Sequence, residues 1–282
     1  MAATINTNSM SLNAQRNLSM SQSSLATSVQ RLSSGLRVNT SKDDAAGLAI
    51  ADRMNAQAKG FDVAIRNAND GISMGQTADS AMQAITDNLQ RMRELAVQSA
   101  NGTYTSGDRT NLDAEFQQLN QEIARVVSGT QFNGQNILTF TASFTFQVGA
   151  GTASTDQISV TTAGSLASAT FGTTTAGALS GSSISGSSSS GATAAISAID
   201  AAIDSLNTSR ATWGAVQNRF SSVVQTLSVA SENAKSSRGR IMDADFAQET
   251  ANMTRAQILQ QAGTAMVAQA NSMPNNVLSL LK

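Results

Sequence analysis

Proline is almost absent from the chain, and this constrains the fold more than any other feature of the sequence. Pro274 stands alone among 282 residues. An average content of about 5% would give about fourteen prolines. Because proline removes a backbone donor and clashes with the preceding helical turn, it interrupts helices. A chain with so few interruptions is expected to form long helices, and 40% hydrophobic residues is enough to build a core.

The composition also excludes many kinds of protein chemistry. Histidine and cysteine are both absent, which removes the usual catalytic triads, zinc sites, thiol nucleophiles and disulfides. Charged residues make up 13% of the chain and leave a net charge of -1, so no basic surface for nucleic acid or an acidic membrane is indicated. No apolar stretch approaches the roughly 20 residues that a membrane-spanning helix needs. We therefore predict no enzymatic activity, no cofactor, and neither a nucleic acid nor a membrane as partner.

Apolar residues recur at alternating intervals of three and four residues, which is the pattern of a coiled-coil seam. In the N-terminal part this pattern is carried by Leu25, Val29, Leu32 and Leu36, and then by Met82, Ile85, Leu89, Met92 and Ala96. In the C-terminal part it is carried by Ile196, Ile199, Ile203, Leu206, Trp213, Phe220, Val224 and Leu227, and near the end by Leu259, Gly263, Met266, Ala270, Met273, Val277 and Leu280. These matching patterns predict a mainly α fold, a long-helix coiled-coil bundle formed by both chain termini.

Turn-forming residues predict where these helices begin and end. The NDG sequence at 69–71 tolerates positive φ, so a helix over about 43–67 is expected to stop there and a second helix to follow. The NG sequence at 101–102 should end that second helix, and Asp108 should be the N-cap of a third. A further long helix is expected over about 194–234.

Two tight carboxylate clusters are the candidates for a metal site or an acid–base pair. They are Asp43 with Asp44, and Asp243 with Asp245. Neither cluster has partners at the spacing of metal ligands. Asp43 lies where a helix is expected to begin, and negative charge at a helix start is stabilised by the helix dipole. Capping is therefore the favoured role of Asp43.

The middle of the chain has a different character. Apolar residues alternate there with small polar ones in two stretches, at Phe144, Phe146 and Val148, and then at Ile158 and Val160. This alternation predicts a β-hairpin. Residues 161–191 are rich in Ser, Gly and Thr and are either a flexible linker or a short variable surface insert. An enzyme housed in this segment is disfavoured, because such residues cannot build a pocket.

The terminal helices have too little apolar surface to be stable on one chain. Outside the seams their residues include many Ala, Ser, Asn and Gln, which are small or neutral. Two helices paired only with each other leave their other faces in water, whereas identical neighbours can cover such faces. We therefore predict a subunit whose ends become ordered when many copies assemble. The predicted polymerisation core comprises Leu25, Val29, Leu32, Leu36, Leu259, Met266, Met273, Val277 and Leu280.

Several segments resemble bacterial flagellin, among them RLSSGLR, KDDAAGLAIA and RNANDG near the start and the stretch NNVLSLL at the end. The resemblance implies a structural subunit of the helical flagellar filament that serves motility. It implies a terminal helical domain (1–44 and 238–282) lining the filament channel, a helical bundle domain with the β-hairpin (45–160 and 192–237), and a short exposed insert (161–191). It also implies a secreted, extracellular protein exported through the flagellar type III route. The first ten residues, which do not look like a cleavable signal, suit that route.

The resemblance further implies partners besides other copies of the chain. The export chaperone of the family is expected at Ala262, Met266, Met273, Val277, Leu278 and Leu281. The vertebrate flagellin-sensing Toll-like receptor is expected at Gln90, Arg91, Leu95 and Glu115, with Arg91 and Leu95 presenting a charge and an apolar side chain on one helix face. The alternative is that these residues are simply contacts between subunits, and the two roles are compatible. Hook-junction and filament-cap proteins are further expected partners, and the alternative function is that of a hook–filament junction adaptor.

Overall fold

The computed structural model describes residues 7–139, 143–161 and 182–278, without the side chains of residues 161 and 274–278. Five helices dominate this part of the chain: α1 (Ser9–Ser34), α2 (Ala45–Ala100), α3 (Ser106–Gly129), α4 (Ser190–Met242) and α5 (Phe246–Leu278). Two antiparallel hairpins lie between α3 and α4 in the sequence, β1 (Gln131–Phe132) with β2 (Gln135–Asn136) and β3 (Ser143–Gln147) with β4 (Gln157–Thr161). The predicted mainly α fold with a small β region is confirmed.

The chain forms two compact units. The terminal unit comprises Met1–Ala58 and Glu232–Lys282, and the central unit comprises Lys59–Ser231. The three-region division expected from the sequence, with bounds after residues 44, 160, 191 and 237, stays a prediction.

The central unit has a continuous core shared by α2, α3 and α4. The seam predicted on α2 is fully buried, at Met82, Ile85, Leu89, Met92 and Ala96. It belongs to one cluster with Phe116 and Ile123 of α3 and with Ile199, Leu206 and Phe220 of α4. Burying one such side chain contributes about 1.5–3 kcal/mol. The central unit is therefore stabilised by contacts within its own chain.

The helix break predicted at 69–71 is wrong, because α2 continues through these residues. Gly71 lies against the ring of Phe220, where an added Cβ atom would stand 2.7 Å from two ring carbons. The glycine is needed for the close approach of α2 and α4 rather than for a turn. Phe220 in turn packs edge-on against Phe146 of β3, with ring centroids 5.2 Å apart. Because Gly71 has no side chain, α2, α4 and the β3–β4 hairpin can pack together at this point.

The helix end predicted at 101–102 is confirmed, since α2 ends at Ala100. The predicted N-cap of α3 is wrong by one turn: Thr105 is the N-cap, and Asp108 is the third helical residue of a capping box. The Thr105 hydroxyl donates to Asp108 Oδ2 at 2.8 Å, and the Thr105 backbone N–H donates to the same oxygen at 3.0 Å. These hydrogen bonds hold the pKa of the Asp108 carboxyl below its ordinary value.

The hairpin predicted from alternation is confirmed. Phe144 lies opposite Val160 and Phe146 opposite Ile158, which directs one face of the hairpin into the core of the central unit. The smaller β1–β2 hairpin is absent from the sequence prediction. It turns at Asn133-Gly134, whose φ values are 50° and 77°. Asn-Gly is the strongest short-range signal for such a turn, so the information was present in the sequence.

Residues 182–186 are anchored to the helices of the central unit. The Ser99 hydroxyl donates to the carbonyl of Ile184 at 2.6 Å. The buried guanidinium of Arg109 donates to three backbone carbonyls at 3.0, 3.2 and 3.4 Å, those of Ser99, Asn101 and Gly186 respectively. Most of the predicted insert, 162–181, lies outside the described residues.

In the terminal unit α1 pairs with α5, and the segments next to these helices are joined through the backbone. Leu36 and Asp243 form an antiparallel bridge, and the N–H of Arg37 donates to the Met242 carbonyl at 2.6 Å. Val38, Ala51 and Met242 form a small buried cluster. The two ends of the chain are therefore connected by a few backbone bonds and a small core.

One residue of each carboxylate cluster caps a helix in this unit, and in the first cluster it is Asp44 rather than the expected Asp43. Asp44 Oδ1 accepts from the N–H of Gly47 at 2.8 Å where α2 begins, and Asp245 Oδ1 accepts from the N–H of Ala247 at 2.9 Å where α5 begins. Asp43 accepts from the N–H of Thr40 in the preceding turn. Among the described residues no cluster of three or more acidic side chains that could hold a metal is formed. No described helix has both the length and the apolar character that crossing a bilayer requires.

Replacing Gly71 by alanine should destabilise the central unit by about 1–3 kcal/mol, because the new methyl group would overlap the Phe220 ring. The matched control is Gly214→Ala in α4, where an added Cβ atom meets nothing within 4 Å. There the gain in helix propensity should stabilise by about 0.5–1 kcal/mol. Urea unfolding followed by far-UV circular dichroism measures both, and equal responses of the two variants would contradict the packing role of Gly71.

Replacing Arg109 by methionine should lower the free energy of unfolding by about 2–3 kcal/mol, since three backbone carbonyls would lose their donor. The control is Arg125→Met, which removes only an exposed ion pair with Glu122, and its urea midpoint should not change. A stable Arg109→Met protein would show that the carbonyls find other donors.

Candidate assembly surface

The contact between α1 and α5 follows a regular stripe on each helix. The stripe is defined by the residues that are buried or half-buried at intervals of three and four. On α1 these are Ser11, Ala14, Leu18, Ser21, Leu25, Ser28 and Leu32. On α5 they are Glu249, Met253, Ala256, Gln260, Gly263, Val267 and Ala270. The two helices therefore pair as a coiled coil, as the spacing predicts.

Small residues bring the two helices close together. A Cβ atom at Gly263 would stand 3.2 Å from Cδ1 of Leu18, which is tighter than ordinary packing. Ser11 and Ser28 are buried on α1, and Ala256 and Ala270 are buried on α5. Because these side chains are short, the contact buries little apolar surface for its length.

Polar contacts fix the register of the pair at both ends. At one end, Asn8 Nδ2 donates to the Ala270 carbonyl at 2.7 Å, and the Ser11 hydroxyl donates to Asn271 Oδ1 at 2.7 Å. At the other end, Arg31 lies 3.8 Å from Glu249. The helices are thus antiparallel and cannot slide without breaking these contacts.

The nine residues of the predicted polymerisation core differ in how far they are buried in the single chain. Leu25, Leu32 and Leu36 are half-buried. Val29, Leu259, Met266 and Met273 are 47%, 50%, 62% and 45% exposed. Of the seam predicted on α5, Gly263 and Ala270 lie in the α1-facing stripe, whereas Leu259, Met266 and Met273 do not. Val277 lies in α5 without a described side chain, and Leu280 lies outside the described residues. The role of all nine in polymerisation stays a prediction.

The expected chaperone site overlaps this exposed surface. Ala262, Met266 and Met273 are exposed on α5. Val277 and Leu278 belong to α5 without described side chains, and Leu281 lies outside the described residues.

Exposed apolar side chains are concentrated in the terminal unit. Of the thirteen large ones in the described part of the chain, ten belong to this unit: Met10, Leu12, Met20, Val29, Ile50, Phe246, Ile258, Leu259, Met266 and Met273. The other three are Val63, Val97 and Val229. An open groove of about 760 Å³ runs between α1 and α5, and a second one of about 390 Å³ lies beside it. Surfaces of this kind mark sites where another molecule binds.

Helix α5 does not divide into one apolar face and one polar face. Its apolar residues point in all directions around the helix, with Ile258, Leu259 and Met266 exposed while Ala256 and Ala270 are buried. Glu249 and Arg255 are its only charged residues, and Arg16 and Arg31 are the only ones of α1. A helix with exposed apolar residues on several sides and few charges is suited to an environment in which neighbours cover those sides. One partner helix, α1, does not provide that environment.

The residues expected to contact the host receptor do not share one surface. Gln90, Arg91 and Glu115 are exposed, and Arg91 Nε donates to Glu115 Oε1 at 2.9 Å. This bond, together with one to Glu94, raises the pKa of the Arg91 guanidinium. Leu95 is only 1% exposed, so the expectation that it is presented beside Arg91 is wrong. It lies in the core beside the α2 seam, because a helix in a three-helix bundle buries more than one stripe.

Comparisons with known proteins agree with these features. The model of the bacterial flagellin N-terminal helical region matches residues 5–143, and that of the C-terminal helical region matches residues 196–281. The flagellar filament 33 kDa core protein of Treponema phagedenis is 42% identical over 289 residues, with 99% of each chain covered. A flagellin of Halalkalibacterium halodurans is 42% identical over 279 residues, also with 99% of each covered. A crystal structure of Bacillus cereus flagellin is 32% identical and covers 57% of this chain and 88% of its own, with a TM-score of 0.48. This chain belongs to the bacterial flagellin family.

Proposed function

We propose that this protein is the main subunit of a bacterial flagellar filament, a secreted structural protein that assembles with copies of itself. The observation that carries the proposal is the unsatisfied surface of α1 and α5, which holds most of the exposed large apolar side chains and very few charges. Charge repulsion would keep such helices apart, and its near absence permits dense packing among identical neighbours. The filament core proteins among the relatives support the same assignment.

A helical polymer follows from the kind of contact available. The apolar surface of α5 differs from that of α1. The α5 surface of one copy can therefore pack against a different surface of the next copy. Such heterologous contacts give an open helix when the rotation between neighbours does not close into a ring. Filament growth then continues as long as subunits arrive.

The alternative, a hook–filament junction adaptor, would use similar terminal helices. Cellular abundance separates the two functions, because a filament needs very many copies and a junction needs few. The expected residues Ala262, Met266 and Met273 form part of the exposed α5 surface, which supports a transient chaperone cover before assembly. Covering this surface would prevent premature association.

Replacing Ile258 by aspartate should abolish elongation from wild-type filament seeds, because a buried, unpaired charge would be placed between subunits. The side chain is 60% exposed in the single chain, so the urea midpoint of the central unit should stay that of the wild type. Sedimentation and electron microscopy measure the polymer. The control, Ser106→Asp, adds the same charge at the first residue of α3. Normal elongation of Ile258→Asp would contradict the proposal.

We also propose recognition by the host Toll-like receptor, for which the exposed Arg91–Glu115 pair between α2 and α3 is the supporting feature. Arg91→Ala should reduce signalling in a reporter-cell assay, since it removes a donor that a partner could use. The control is Arg125→Ala, which removes an exposed arginine elsewhere on α3. Unchanged signalling by the Arg91 variant would refute this second proposal.

A further inference from the structure

Methionine provides all the sulfur of this protein, because the chain contains 11 methionines and no cysteine. Three of the methionines belong to the central unit, and all three are buried in its core: Met74, Met82 and Met92. The exposed methionines, whose side chains are 45–62% exposed, all belong to the terminal unit: Met10, Met20, Met266 and Met273. In the described part of the chain, exposed thioethers therefore occur only on α1 and α5.

Three of the exposed methionines line one open groove between the two helices. Met10 comes from α1, and Met266 and Met273 come from α5. The groove has a volume of about 390 Å³, and none of the residues that line it carries a charge. Its polar side chains are three amides and one hydroxyl, at Asn13, Asn17, Gln269 and Ser21. Met20 lines the larger neighbouring groove. All four sulfur atoms thus belong to surface side chains that small solutes in water can reach.

An exposed thioether reacts with peroxides, and this chain has no thiol that would take the oxidant first. The sulfur attacks one oxygen of hydrogen peroxide, the O–O bond breaks, and a proton transfer releases one molecule of water as the S=O bond forms. The sulfur is thereby oxidised by two electrons and the peroxide is reduced. The resulting sulfoxide is polar, whereas the thioether is apolar. A methionine sulfoxide reductase reverses the change with two thiols, which leave as a disulfide and water.

We propose that the exposed methionines are a reversible oxidation site for hydrogen peroxide and related two-electron oxidants, and that their sulfoxides prevent the free subunit from joining a polymer. The second part rests on the proposed filament function, whereas the modification itself does not. A sulfoxide oxygen that is covered by an uncharged surface loses its hydrogen bonds to water, which costs free energy. The buried methionines of the central unit are spared, so oxidation acts on assembly and leaves the central core folded.

Mass spectrometry that locates each sulfoxide tests the modification on the full-length wild-type subunit treated with hydrogen peroxide. Oxidation of the exposed methionines should be at least about tenfold faster than that of Met74, Met82 and Met92, because the core must open before these three can react. The urea midpoint of the central unit should stay that of the untreated protein at this stage. Equal rates at exposed and buried methionines, or a lowered midpoint, would overturn the inference.

Elongation on untreated wild-type seeds tests the effect on assembly. After oxidation the subunit concentration needed for elongation should rise about tenfold or more, as expected for covering unpaired polar groups. A methionine sulfoxide reductase with a dithiol should restore the original value. The matched variant combines Met10→Leu, Met20→Leu, Met266→Leu and Met273→Leu, which nearly conserve volume, and each protein is compared with its own untreated form.

In the leucine variant, peroxide should leave the concentration needed for elongation at its untreated value. Normal elongation of the oxidised wild type, or an equal loss in the leucine variant, would overturn the inference. Failure of the untreated wild type to elongate would reject the proposed filament function instead, and the order in which the methionines are oxidised would still decide whether the site exists.

Discussion

Close packing of short side chains between α1 and α5 is the constraint on which the rest of the terminal unit depends. Gly263 lies against Leu18, and Ala256 and Ala270 occupy the same stripe. Helices held together in this way bury little apolar surface, and their larger side chains are left on the outside. The pair is consequently defined in register by polar contacts at its ends, yet it gains limited stability from its own interface. A surface of this kind gains stability when neighbouring copies cover it.

The central unit differs from the terminal unit in where its large side chains lie. Its large side chains, including Phe116, Phe220 and Trp213, are enclosed within one chain. Gly71 allows α4 to approach α2, and Arg109 holds the segment at 182–186 against the helices. One polypeptide therefore combines a central core that is buried within the chain with terminal helices whose large apolar side chains remain exposed. This division suits a subunit that must fold as a single chain and also polymerise.

The sequence predicted the buried seam of α2 well, although not the unbroken length of that helix, because this seam has only one apolar stripe that fits. Every position from Met82 to Ala96 in that seam is buried, so periodicity and burial agree. On α5 two overlapping apolar stripes have the same period, and periodicity cannot choose between them. The predicted seam combined Leu259 and Met266 with Gly263 and Ala270, whereas the observed contact keeps the two small residues and leaves the two large ones exposed. Side-chain volume, which spacing ignores, decides the outcome.

Other errors have equally local causes. Gly71 resembles a turn residue, but its partner Phe220 lies far away in the sequence, so only the fold reveals the close approach. Asp108 resembles an N-cap, although Thr105 three residues earlier completes the capping box. Leu95 resembles an exposed partner of Arg91, and it is buried because the bundle contacts α2 on more than one side. In each case the residue type suggested a role, but the actual role depends on a contacting residue that was not identified from the sequence.

Hydrogen exchange of the dilute subunit and of the assembled polymer tests the central claim most directly. Amides of α1 and α5 should exchange rapidly in the dilute subunit and slowly in the polymer, while amides of the α2 seam and α3 should be protected in both. This result would show that the terminal helices acquire their stability from neighbouring copies. Equal and strong protection of α1 and α5 in the dilute subunit would contradict that claim.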